Sequence, residues 1–429
     1  MANIFLYDEF NPEDTAMMQA LYSRSAKSVV EHVEKVKQSG SGKFMETFYV
    51  GYGHASIADC GSTTLFIEGI SILGDKAIQD WQLYSGQETS TRYIDMSKQA
   101  IIDPINSSES KAILDKWINF YISNQEKIQS FLKGKYPRQE SEEEGMYIKA
   151  IKARGFDIMR GFLPAGITTQ LSWHTNLRQA WDKISLLRHH PLAEVRETAD
   201  AILKKLQEKY THSFSHPLYE EQEAYRELTV KKYSYLVPEK ESSFKFSSDV
   251  KEEELKKYQE IIDSRPLKTG LPNFLAELGN FSFDYILDFG SFRDIQRHRN
   301  GVCRMPLLTT GLGFNNWYLE QLPQDLREEA LKLIEEQTTA IAKLETTPEI
   351  KQYYIAIGYN IFGRVNYPLP AAVYVIELRN GKAVHPSLRN LARKMSEAVS
   401  EKYPNLKMHI DLDLDDWDVR RGLQDITTK

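Results

Sequence analysis

The chain has 429 residues, 41% hydrophobic and 27% charged, with a net charge of −6 and two cysteines. That profile describes a globular protein long enough for two or three domains, and it excludes a disulfide framework or a cysteine-rich zinc module. Lysine and arginine are scattered among acidic residues rather than gathered into a basic face for nucleic acid, and no run of about 18 apolar residues could span a membrane. The start of the chain, with Asp8 and Glu9, lacks the basic and apolar regions of a secretory signal, so the expected location is the cytoplasm.

Read in chain order, the first landmarks are Gly53-His54-Ala55-Ser56, Gly69-Ile70-Ser71 and Asp80-Trp81-Gln82. Ile113, Trp117, Tyr121 and Ile128 then recur at helical spacing, followed by Arg160-Gly161-Phe162-Leu163-Pro164, Asn176-Leu177-Arg178 and His190-Pro191. Val195, Ala199, Leu203 and Leu206 predict a long helix that also carries Arg196. The order then repeats with Gly290-Ser291, Arg297-His298-Arg299 and an amphipathic stretch containing Leu331, Ile334, Ile341 and Leu344. Arg364 to Pro368, Glu377-Leu378-Arg379, His385-Pro386 and Arg389 complete it.

Pairing these landmarks gives offsets that shrink from 217 to 204, 201, 195 and 193, the drift a duplication with deletions produces. The expected organisation is a first copy over 1–215, a linker over 216–250 marked by Pro217 and Pro238, and a second copy over 251–429. Val373-Tyr374-Val375-Ile376 reads as a strand beside long helices, and without regular β-α alternation the expected class is α+β. Neither a Rossmann fingerprint nor a Walker loop is present.

Arg297-His298-Arg299 can fork hydrogen bonds onto phosphate oxygens and stack on a flat ring, or can form a solvated basic cluster. Gln296 and Asn300 add polar groups beside it, and Gly301 adds backbone freedom. The segment Gln87 to Tyr93 gathers a carboxylate, hydroxyls, a guanidinium and a phenol. It suits a phosphate or a uracil edge, or an i,i+4 pair of Glu88 with Arg92 on a helix face. His54 lacks a second His or Cys at metal spacing, so no metal site is expected. Cys303, near the triplet, reads as a buried thiol.

These residues resemble the flavin-dependent thymidylate synthases, a family with Gly-His-x-Ser, then Arg-His-Arg, seven residues and a Ser within Ser-x-Arg-Tyr, then Arg-x-x-Leu-Pro and Asn-x-Arg. The resemblance covers most of residues 40–205 and, more weakly, 280–395. Copy one has Gly53 to Ser56, Ser90 to Tyr93, Arg160 to Pro164, Asn176 to Arg178 and Arg188, but Asp80-Trp81-Gln82 stands where the triplet belongs. Copy two keeps the triplet, with Leu307 at the place of the Ser. The resemblance implies a site assembled from both copies, in a homodimer that forms a pseudo-tetramer, with the Asp80 and Leu307 sites dead.

The implied reaction is one-carbon transfer from methylenetetrahydrofolate to C5 of dUMP, with FAD and NADPH. Implied catalytic residues are Arg297, Ser90 and Arg92. Glu88, Arg160 and Arg188 join them on the nucleotide, and His54, Ser56, His298, Arg299, Asn176, Arg178 and Arg379 hold the cofactor. Asp294 stands where the family commonly has Gln beside the base, which points to a variant acting on another pyrimidine nucleotide or carbon donor. A nucleotide- or flavin-binding protein without activity is the alternative from another class.

Overall fold

A computed structural model describes residues 9–92, 94–238 and 243–412. They form long helices with small antiparallel sheets, the α+β class expected. Two compact units are present. The first holds the chain up to Ile70, Gly74–Glu88 and Gln170–Ser234; the second holds Ser71–Leu73, Thr89–Thr169 and the chain from Tyr235 on.

The first unit is built on three strands, β1 (Ser62–Ser71), β2 (Ser85–Glu88) and β3 (Thr168–Asn176), in the order β1-β3-β2. Strand β3 runs into the helix Leu177–Leu187, where the Asn176 side chain accepts a hydrogen bond from Gln179 N and caps the first turn. The helix Ala193–Lys209 follows.

The second unit is built on four strands, β4 (Phe244–Ser248), β5 (Asn280–Asp288), β6 (Val302–Arg304) and β7 (Asn360–Pro368), in the order β4-β5-β7-β6. Strand β5 alternates inward Phe281, Phe283 and Tyr285 with outward residues, as a half-buried strand requires. It runs into the helix Phe289–Gln296, capped by Asp288, whose carboxylate accepts from Ser291 N at 2.8 Å. Strand β7 runs into the helix Leu369–Arg379, and the helix Pro386–Lys402 follows.

The same succession of strand and helix thus occurs in each part of the chain. The helices Ile72–Gln79 and Phe289–Gln296 start 217 residues apart, whereas β3 and β7, and the helices after them, start 192 apart. The landmark pairing changes accordingly. Arg160 opens a 3-10 turn whose counterpart opens at Gln352, while Arg364 lies inside β7. Asn176 to Arg178 starts a helix, whereas Glu377 to Arg379 ends one, so the counterpart of Arg379 is near Arg188. Two offsets, of 217 and about 192, replace the steady drift.

Inside the second unit, the segments after those 3-10 turns pair with each other. Ala165 N donates to Ile355 O and Ile357 N to Leu163 O, both at 2.9 Å. Gly166 N donates to Tyr353 O at 2.9 Å and Gly358 N to Gly161 O at 2.8 Å. Shifted by 192 residues, each bond maps onto its opposite, as in a twofold contact between identical surfaces. Glycine is needed at both matching positions. A Cβ on Gly166 would stand 2.8 Å from Tyr353 O, and one on Gly358 would stand 2.6 Å from Gly161 O.

Two local expectations change. Val373 to Ile376 lies in the helix Leu369–Arg379 rather than in a strand. A helix buried on most sides shows the same unbroken apolar run as a buried strand, and Pro370 in its first turn favours the helix. The stretch 216–250 carries the helix Glu220–Tyr233 and the edge strand β4. Among the described residues no helix is long and apolar enough to cross a membrane.

The glycine contacts predict a contrast in stability. Gly358→Ala should destabilise the chain by about 1–3 kcal/mol through overpacking against backbone. Gly134→Ala, in a helix with open space around it, should be neutral or stabilising by about 0.5–1 kcal/mol. Urea unfolding of the two variants checks this.

Candidate functional site

The Arg-His-Arg triplet follows the helix Phe289–Gln296, with Arg297 as its C-cap. Gly301 then turns the chain into β6 at φ +148°, where a Cβ would stand 2.5 Å from Asn366 O. Only glycine fits so close a turn, and it sets the triplet at the mouth of a cavity of about 470 Å³. Arg297, His298 and Arg299 line one side, and Tyr367, Pro370 and Tyr374 another. Cationic forks facing flat apolar surface suit a ligand with anionic groups and an aromatic ring.

Behind this wall lies Asp294. Burial alone would push its carboxyl up, but Arg379, Arg297, Arg92 and Arg160 outweigh that and hold it at about 2. Arg379 Nη2 donates to Asp294 O at 2.8 Å, and its Nε donates to His298 Nε2 at 2.8 Å. Burial, then the neighbouring Arg379, keep His298 neutral, with its pKa down to about 3.

Arg92 belongs to the same unit and forks onto Asp157, Nε to Oδ1 at 2.5 Å and Nη2 to Oδ2 at 3.0 Å, with Nη2 also reaching Ala383 O at 3.3 Å. Burial raises the Asp157 carboxyl, and the guanidiniums of Arg92 and Arg160 offset only part of that. Arg160 is 1% exposed and donates from Nη2 to Ser291 Oγ at 3.1 Å. It therefore stands behind the surface rather than on it. Ser90 Oγ accepts from Arg92 N at 3.2 Å, fixing the turn that presents Arg92. Four guanidiniums, of Arg92, Arg160, Arg297 and Arg379, thus surround two carboxylates, Asp157 and Asp294.

The other expected residues lie in the first unit. Glu88 is buried against Lys76, Oε2 to Nζ 2.5 Å, and its carboxylate is committed to that ion pair. Asn176 is spent on its helix cap. Arg178 Nε donates to Asp59 Oδ1 at 2.7 Å, and Arg188 Nε to Asp200 Oδ1 at 3.1 Å. His54 and Ser56 are exposed, with the His54 ring stacked on Phe48 at 6.3 Å. Tyr93 lies outside the described residues.

At the first triplet position, Lys183 Nζ donates to Asp80 O at 2.8 Å, Tyr233 OH to Asp80 Oδ2 at 3.2 Å, and Trp81 Nε1 to Gln179 Oε1 at 2.9 Å. That corner is tied down by its own side chains. Cys303, expected to be buried, is half-buried on β6. Sequence reasoning missed Asp157, although an aspartate one helical turn before Arg160 in an apolar helix was a signal of a paired buried charge.

Residues 6–210 match the family model Thy1, described as thymidylate synthase complementing protein. This part of the chain is similar to that family. The match supports a thymidylate synthase-like function, in a family that is flavin-dependent. Curated relatives extend beyond the matched segment. A UPF0159 protein of Chlamydia muridarum is 26% identical, over 88% of this chain and 82% of its own. UPF0159 proteins of Chlamydia pneumoniae and Thermoplasma acidophilum are each 23% identical, over 89% and 92% of this chain and 83% and 94% of theirs. The chain is thus similar to proteins in which both parts are kept together.

The burial of Glu88 predicts a structural phenotype. Glu88→Ala removes the nearer of the two carboxylates beside buried Lys76, leaving Asp75 at 3.5 Å, and should cost about 1–3 kcal/mol. Guanidinium unfolding measures it, against a nucleotide affinity that stays within about twofold once the folded fraction is counted.

Proposed function

We propose that the chain is a degenerate duplication of the Thy1 fold and that it catalyses flavin-dependent one-carbon transfer from methylenetetrahydrofolate to C5 of dUMP, with NADPH as reductant. The observation that carries this reading is that Arg92, from the first copy, and Arg297, His298 and Arg379, from the second, surround Asp294 within one compact unit of one chain. The two complementary losses then leave one complete site and one dead site per chain.

At the complete site the arginines outnumber the carboxylates, which suits an anionic nucleotide monophosphate. Arg297 would fork onto its oxygens and Arg92 would reach them through Nη1, its Nε and Nη2 being held by Asp157. Arg160 acts from behind, adding positive potential where charge develops on the ring. His298, Arg299 and the Tyr367 and Tyr374 faces fit a flavin, which when bound supplies the hydride that reduces the transferred carbon. His54, Ser56, Asn176, Arg178 and Arg188 stay with the first unit in this reading, which does not route the nucleotide phosphate through them. Two such chains would form the pseudo-tetramer.

Asp294, with its carboxylate charged at the edge of the site, and the withdrawal of Glu88 to Lys76 favour a second reading, C5 modification of another pyrimidine nucleotide. Turnover with a panel of pyrimidine monophosphates separates the two. A protein that binds flavin and nucleotide without turning over any of them would be the inactive relative.

Titration calorimetry with dUMP tests the assignment of the live site. Arg297→Ala should weaken binding about tenfold or more, the loss of a charge-assisted contact of about 1.5–3 kcal/mol. Asp80→Ala should leave affinity within about twofold. The reverse pattern would place the site at the first triplet position and defeat the reading.

A further inference from the structure

His298 is held in an uncommon way. Its Nε2 faces the Nε–H of Arg379 at 2.8 Å, and a guanidinium can only donate. Arg379 is itself fixed, because its Nη2 donates to Asp294 O at 2.8 Å and the side chain is 15% exposed. The ring edge meets Tyr374, centroids 6.1 Å apart at 73°, which closes off rotation on that side. Nε2 must therefore carry the lone pair, and the single proton of the neutral ring sits on Nδ1. Among the described residues Nδ1 has no hydrogen-bond partner, and His298 lines the cavity of about 470 Å³.

We infer that Arg379 is a positioning residue that fixes His298 as a neutral Nδ1–H donor facing the cavity, so that the ligand presents a ring nitrogen or carbonyl acceptor there rather than a donor. The identity of that ligand as a flavin rests on the proposed function; the tautomer does not. The charged and titratable groups around the ring are Arg379, Asp294, Arg297, Arg299 and the Tyr374 phenol. Three cations against one carboxylate oppose imidazolium, in keeping with a ring that stays neutral through the physiological range. In this form His298 offers a phosphate no charge, and the charged contacts fall to the arginines.

The test is long-range proton–nitrogen NMR of the full chain labelled with nitrogen-15 histidine, the His298 signals being those lost in His298→Gln. The expected spectrum shows the Nδ1–H form with no titration between pH 5 and 8. In Arg379→Met the ring should revert to the ordinary tautomer mixture and its pKa should rise, with burial still holding it below the ordinary value. Arg379→Gln, which keeps an N–H donor near the same place, should retain more of the Nδ1–H form than Arg379→Met. An Nε2–H or doubly protonated ring in the unaltered protein at pH 7 would overturn the inference, as would an unchanged tautomer in a folded Arg379→Met.

FAD titration, read by flavin fluorescence, supplies the second arm. Arg379→Met should weaken FAD about tenfold if the ring donates to the flavin. The Nδ1–H form in a chain that takes up no FAD would support the positioning role and overturn the flavin reading instead.

Discussion

Four backbone hydrogen bonds between the segments Gly161–Gly166 and Tyr353–Gly358 are the contact on which the site depends. They are reciprocal, so the contact has the form of an isologous interface carried within one chain. Backbone pairing at this distance tolerates no side chain at Gly166 or Gly358, which makes it a constraint of shape as well as of bonding. The turn that opens at Arg160 leads into one segment, and Arg160 itself reaches Ser291 in the helix that ends at the triplet. The contact is made within one chain, and Arg92 and Arg160 meet Arg297 and Arg379 without a second chain.

The two positions at which the triplet was expected differ in their electrostatics. Around Asp294, arginines from both parts of the chain exceed the carboxylates, and the surplus is held in place by buried partners such as Asp157. At Asp80 the chain offers a carboxylate, and Lys183, Tyr233 and the Trp81–Gln179 bond tie down the corner. Glu88, next to it in the first unit, neutralises buried Lys76.

Much of this was legible in the sequence because its signals are local. Strand-to-helix corners, the triplet, Gly301 and the helices around Trp117 and Val195 are set by short-range rules of periodicity, capping and positive φ. The class and the family resemblance followed from them. What was not legible depends on tertiary contact. The helical state of Val373 to Ile376 is decided by burial on most sides, which an apolar run does not reveal. The pairing of Arg379 with Arg178 failed because short motifs at opposite ends of a helix look alike in one dimension. The Lys76–Glu88 ion pair was not legible either, because nothing in the segment around Ser90 and Arg92 announces Lys76 on the preceding helix. Arg160 is buried and donates to Ser291, 131 residues away, a contact that its own segment does not reveal.

The central claim is that each chain holds one nucleotide site, made by arginines from both of its parts. Counting bound dUMP and bound flavin per chain in the purified protein, by equilibrium dialysis beside the visible absorption spectrum, tests it most directly. The account predicts one of each per chain. Two nucleotides per chain would mean that the Asp80 corner is live, and none, in a colourless protein, would reduce the family likeness to ancestry.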